Sequence, residues 1–296
     1  MYADGYDAHS YVSTGLVAQW DGIDNVGTGS HDATSKTWVD LSGNDYNVIY
    51  ANGGVLPWVG GNSISRPNNT VAVKVNSITL NLDSSFTFDF CGVQSAKAAA
   101  NIFDFRPSGK SAASLYVNSN WQAQLSAAGK NNFNSDNNFY TGGSLISLRD
   151  GETNAHYNVT NNTSYVNSTF GKGTEGEVRG AFFLASNNAG NNRFLGSFHS
   201  LRIYNRPLTV LERAWNTAVD QIRFFGASAN ETKITVGPLD AAYGLVGVPA
   251  LGAVTTVANT DTYEISLAGL SEHPDDGAMA REYATGCRAR FHGWSF

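Results

Sequence analysis

At 296 residues, 42% of them hydrophobic, the chain can bury one large core or two ordinary ones. Charged residues make up 15%, well under the ~25% usual in soluble domains, and Asn, Ser, Thr and Gly supply a neutral, amide-rich surface instead. A formal net charge of -6 with no basic stripe excludes a nucleic-acid surface, and no run approaches the ~20 apolar residues of a membrane-spanning helix.

Residues 1–14 read as a leader without the basic and apolar regions of a signal peptide. From Gly15 onward, short β-type runs recur between Asn/Gly/Ser-rich turns. Early runs are Gly15 to Trp20, Asn47 to Tyr50, Thr70 to Val75 and Ile78 to Leu82. The clearest is Phe86-Thr87-Phe88-Asp89-Phe90, a strict alternation with three aromatics on one face, and Ile102-Phe103-Asp104-Phe105 repeats it. Leu115 to Val117, Trp121 to Leu125, Leu145 to Arg149, Ala155 to Val159, Arg179 to Ala185 and Phe194 to Tyr204 follow. Many short strands spaced by turn signals predict an all-β sandwich rather than βαβ units.

Leu208 to Phe224 breaks the pattern. Leu208, Leu211, Trp215, Ala218, Val219 and Ile222 recur at helical spacing, and Thr209 with Glu212 fits a capping box. This predicts one amphipathic helix that seals the sandwich and buries Trp215. Beyond it, residues 227–296 read as a small β-rich module with runs at Lys233 to Val236, Val254 to Val257, Tyr263 to Leu267 and Arg288 to Phe296. The apolar ending Trp294-Ser295-Phe296 predicts a longer parent protein with further domains. Cys91 and Cys287 make no disulfide framework, and the six histidines show no metal-ligand spacing.

Three segments carry a family resemblance. Gly15-Leu16-Val17-Ala18-Gln19-Trp20-Asp21, followed by Trp38-Val39-Asp40-Leu41-Ser42-Gly43-Asn44, resembles the opening strand and turn of laminin G-like, concanavalin A-like jelly rolls of bacterial extracellular proteins. Ser85 to Phe90 resembles their core strand, and Gly196 to Leu208 their closing strand. The resemblance covers residues 15 to about 225 in order. It implies a jelly-roll domain over 15–226, a start after a removed signal, and an extracellular or cell-surface location. Some relatives bind Ca²⁺ near the opening and closing strands, which here makes Asp21, Asp24 and Asp40 the candidate ligands. His199 stands where the family usually has Asp, and imidazole is a poor calcium ligand.

Two kinds of chemistry suit such a fold. Glycosidases of this architecture set paired carboxylates on one sheet, ~5 Å apart when retaining and ~6.5–9.5 Å apart when inverting. If the Phe86–Phe90 and Ile102–Phe105 strands are neighbours, Asp89 and Asp104 share one face and make a catalytic pair; otherwise they are polar residues of a solvated face. A lyase face would draw on Arg106, Arg149, Arg202 and His156. Sugar binding asks for aromatic rings to stack on pyranose faces and amides to bond hydroxyls. Tyr116, Trp121, Gln122 and Gln124, with Arg149 and His156, are the candidates for that. The expectation is a carbohydrate-binding or adhesion module that takes a polysaccharide or glycan. A glycoside hydrolase or polysaccharide lyase is the alternative.

Overall fold

The computed structural model describes residues 6–66, 71–83, 85–107, 109, 112–126, 133–140, 142–158, 163–167, 176–227, 233–236, 254–256 and 263–266. In chain order the strands are β1 (Leu16–Asp21), β2 (Thr37–Trp38), β3 (Val48–Tyr50), β4 (Trp58–Val59), β5 (Ser63–Ile64), β6 (Val73–Asn81), β7 (Ser85–Gln94), β8 (Ala100–Pro107) and β9 (Ala113–Val117). Then come β10 (Ala123–Ser126), β11 (Phe133–Asn134), β12 (Gly143–Asp150), β13 (Thr153–Asn158), β14 (Thr163–Asn167), β15 (Glu177–Leu184) and β16 (Gly196–Tyr204). One helix, α1 (Val210–Phe225), and the short strands β17 (Lys233–Val236), β18 (Val254–Thr256) and β19 (Tyr263–Ser266) follow.

Residues Gly15–Pro207 form one compact unit, and Met1–Thr14 with Leu208–Phe296 form a second. The first is an all-β sandwich of two antiparallel eight-stranded sheets. One sheet runs β14-β13-β12-β7-β16-β5-β4, with β1 also paired to β16; the other runs β11-β10-β9-β8-β15-β6-β3-β2. Between them lies an aromatic seam. Phe88 of the first sheet meets Phe103 of the second with ring centroids 4.4 Å apart. Phe103 stacks on Phe182 at 4.8 Å, and Trp20 of β1 reaches Phe182 at 5.8 Å. All four rings are fully buried, each stabilising the fold by roughly 2–3 kcal/mol through its burial.

The two runs predicted from Thr70 and from Ile78 are one strand, β6, which bulges by one residue between Val75 and Ile78 opposite Gly180 and Phe182 of β15. The bulge restores the inward register of Val75 and Ile78 on both sides of the irregularity.

In the second unit, α1 carries the predicted capping box: Thr209 Oγ1 accepts from Glu212 N at 3.3 Å, and Glu212 Oε2 accepts from Thr209 N at 2.8 Å. Residues 6–12 are tied along the helix. Trp215 Nε1 donates to Ser10 O at 2.6 Å, Val12 N to Asn216 Oδ1 at 3.0 Å, and Tyr11 Oη to Asp220 Oδ1 at 2.9 Å. The helix is too short and polar to cross a membrane, and among the described residues no other helix exists to do so. Strands β17, β19 and β18 make a three-stranded sheet at three of the four runs expected there. The fourth, Arg288 to Phe296, lies outside the described residues, as does Cys287.

Gly196, the first residue of the closing strand, has φ +135, and a Cβ there would collide with the Val93 carbonyl oxygen. Gly196→Ala is therefore expected to destabilise the sandwich by about 3 kcal/mol or more, read from urea denaturation midpoints.

Candidate functional site

Alternation places Asp89 and Asp104 as expected relative to their own strands, pointing away from the core. The sheets do not bring them together. Strand β7 pairs with β12 and β16, and β8 with β9 and β15, so the two carboxylates lie on the far sides of opposite sheets. Packed sheets stand ~10 Å apart and both side chains point outward, which is beyond the range of any glycosidase pair. The catalytic pairing is corrected accordingly.

Each carboxylate has a cation of its own. Asp89 Oδ2 accepts from Arg202 Nε at 2.9 Å, directly across the β7–β16 ladder, with both side chains fully buried. Ser200 Oγ accepts a further bond from Arg202 Nη1 at 3.2 Å. Asp104 pairs with Arg106 at 2.8 Å and accepts the Asn188 backbone N–H at 2.8 Å.

Arg149 and His156 face the interior and not a ligand surface. Arg149, 1% exposed, donates to Asn154 Oδ1 and to the Leu82 and Asp83 carbonyls, and its guanidinium lies 5.3 Å from the Phe86 ring centroid. His156 bridges Ser147 Oγ (2.7 Å) and the Phe133 carbonyl (3.1 Å) and stacks on the Phe133 ring. Burial pushes its pKa down to about 4, so the imidazole is neutral and bonds as a spacer within the core.

The three candidate calcium ligands serve turns. Asp40 accepts from Gln19 N and Ser42 N through Oδ1 and from Ser42 Oγ and Tyr46 N through Oδ2, which fills its lone pairs. Asp21 Oδ1 accepts from Ile23 N and Asp24 N, and Asp24 Oδ1 from Thr28 N and Gly29 N. Among the described residues, no group of three or more Asp, Glu, His or Cys side chains gathers around a common point. His199 is nearly buried with Nδ1 3.1 Å from the Asn62 carbonyl, and burial pushes its pKa down.

What does converge is the sugar-type set. Pairing across β8, β9, β10 and β11 aligns Asn101, Tyr116, Gln124 and Asn134 in one row on the outer face of their sheet. Gln124 Nε2 donates to Asn134 Oδ1 at 2.6 Å. Phe183 of β15 stands beside Asp104 on the same face, half-buried because its neighbours Phe182 and Leu184 take the core positions. Phe183 and Asn101 were missed in the sequence, since the Phe182-Phe183 doublet does not say which ring turns outward. Tyr116 is half-buried, and burial pushes its phenol pKa up.

The loops at the Asn101 end of this row extend the face. Trp121 lies in the turn between β9 and β10, not in the strand predicted from it: β10 begins at Ala123, and Trp121 has φ +59. Its amide donates to Asn118 O at 3.0 Å and its carbonyl accepts from Tyr140 N at 3.0 Å. Gln122 accepts from Asn118 Nδ2 at 2.5 Å and donates to Ser135 O at 2.9 Å. The adjoining loop is held by Asn138 N donating to Asn120 O, and the Ala185–Leu195 loop by Asn101 N donating to Asn192 O. Of five described non-glycine residues at positive φ, four occur here: Trp121, Asn138, Ala185 and Asn192. Backbone strain of this kind persists where the surroundings over-determine it, and it concentrates at binding sites. At the opposite end of the sandwich a cleft of about 340 Å³ is lined by Leu80, Leu82, Phe86 and Tyr204, with only the exposed Glu177 charged among its lining residues.

Two expectations follow. Asp89→Asn breaks a buried ion pair and should cost about 3–5 kcal/mol in denaturation, while Asp89→Leu combined with Arg202→Met recovers most of it. His156 binds no proton in the folded state between its ordinary value of 6.5 and about 4, whereas the unfolded chain does. Its stabilising contribution is present above pH 6.5 and is lost as pH falls, by about 3 kcal/mol across that window. His156→Gln should flatten the pH dependence of urea stability there by that amount.

No family model matches the chain, and no curated protein matches its sequence. Among solved structures it is similar to a Trypanosoma rangeli sialidase, with 14% identity, a TM-score of 0.40, and 73% of this chain aligned to 34% of that one. The same enzyme solved with sialic acid gives a TM-score of 0.41. Domain 4 of a GH43 extracellular arabinanase from Geobacillus stearothermophilus, in complex with arabinotriose, aligns to 70% of this chain over 98% of its own at 16% identity and a TM-score of 0.41. The chain spans about a third of the length of the sialidases it matches. Likenesses of this score set no constraint on what the chain does.

Proposed function

We propose that this protein is a carbohydrate-binding or adhesion module of laminin G-like type, and that its parent is a secreted bacterial protein with further domains. The ligand, a polysaccharide or other glycan, lies on the outer face of β8 to β11 and against the loops around Trp121 and Asn138. The observation that carries this reading is Trp121: a bulky ring held at φ +59, half-buried, among Asn118, Asn120, Gln122 and Asn138. A turn that served only the fold would be more stable with glycine there. Stacking on sugar faces falls to Trp121, Tyr116 and Phe183, and hydrogen bonds to hydroxyls fall to the amides of Gln122, Gln124 and Asn134. Binding is the better-supported activity because Asp104, the carboxylate at the middle of the face, is held by Arg106 and by the Asn188 amide.

Trp121→Gly separates the two roles of that residue. It should leave the melting temperature equal or raised, because the strain is relieved, while glycan affinity falls about tenfold. Retention on insoluble polysaccharides and glycan arrays measures the second quantity. Binding that is unchanged in Trp121→Gly and Tyr116→Ala, or no retention of the wild-type chain on any glycan, would sink the proposal.

A further inference from the structure

Arg66, two residues after β5, is 1% exposed. Its Nη1 donates to Ser186 Oγ at 3.1 Å, but among the described residues Nε and Nη2 meet no acceptor. These two nitrogens form the side edge of the guanidinium, whose parallel N–H bonds match the two oxygens of a carboxylate. A buried cation without a counter-charge is costly, so proteins pair such groups or reserve them for an anion. Here the neighbouring charge has the same sign. Burial pushes the Arg66 pKa down, Tyr50 offsets part of that, and Arg193 adds to it.

The position of this edge is informative. Ser186 and Arg193 bracket the Asn187–Asn192 stretch, and Arg66 N donates to Phe194 O just beyond it. The Asn192 carbonyl in turn holds Asn101, the first residue of the row across β8 to β11. Asn101 Oδ1 is itself buried without a partner. Unsatisfied polar atoms therefore occur on both sides of one loop, beside the face assigned to sugars.

We propose that Arg66, with Arg193 and Ser186 beside it, is a carboxylate-binding subsite, and that the glycan it serves contains an acidic sugar. The acidic-sugar source rests on the glycan reading above; the carboxylate chemistry does not.

The test uses the full chain. Its melting temperature is followed against sodium acetate and sodium glucuronate, with sodium chloride at matched ionic strength, and its affinity is compared for a uronate-containing and a neutral oligosaccharide. Both carboxylates should raise the melting temperature saturably where chloride does not, and the uronate oligosaccharide should bind about tenfold tighter than the neutral one. Arg66→Met and the half-exposed Arg193→Met should each reduce that preference. Circular dichroism establishes that Arg66→Met is folded, and Arg193→Met carries the test if it is not. If acetate and glucuronate act but neither oligosaccharide binds, the subsite stands and the glycan reading falls. If the neutral oligosaccharide binds and no carboxylate acts, the subsite falls alone. A carboxylate effect that persists in Arg193→Met and in a folded Arg66→Met also overturns it.

Discussion

The contact of Phe88 with Phe103, continued through Phe182 to Trp20, sets the direction of every side chain in the sandwich. Because side chains alternate along a strand, pinning these rings inward turns Asp89, Asp104, Tyr116 and Gln124 outward with no further choice. The binding face is in this sense the complement of the core. A one-residue slip of β8 would turn Asp104 from its ion pair into the apolar core and drive Phe103 out of it, at a cost no surface contact could offset.

The outer faces of the two sheets are not equivalent. On the β7 side, Thr87, Asp89, Ser200 and Arg202 are all buried and bond locally: Thr87 Oγ1 donates to the Arg206 carbonyl, and Arg202 donates to Asp89 Oδ2 and Ser200 Oγ. Such a surface is closed to ligand. On the β8 side, Tyr116, Phe183, Gln124 and Asn134 keep part of their surface open. The same polar residue types thus stabilise structure on one sheet and remain available for recognition on the other, and environment alone makes the difference.

This difference explains what was legible in the sequence. Period-two runs marked the strands at Phe86 and Ile102, and the capping box at Thr209 marked the helix, because both signals are local. Sheet membership is not local. Strands adjacent in sequence are usually neighbours in space, yet β7 and β8 belong to different sheets, and the proposed carboxylate pair failed on that point alone. Trp121 read as a strand residue by its type, while its positive φ comes from the turn that Asn118 and Tyr140 close around it. Arg66 carried no signal at all, since Tyr50, Ser186 and Phe194 come from distant segments.

The pairing of β7 also bears on how the molecule is made. Its two ladder partners, β12 and β16, lie downstream, the second ending at Tyr204. Ribosomes add about 5–20 residues per second, so a strand carrying Phe86, Phe88 and Phe90 emerges and waits several seconds for its last neighbour. Throughout that interval its backbone edges are open and its aromatic face is uncovered, the condition in which strands associate with the wrong chain. Until the closing strand is complete, a nascent chain of this design is open to such mispairing, and completing β16 covers the last open edge of β7.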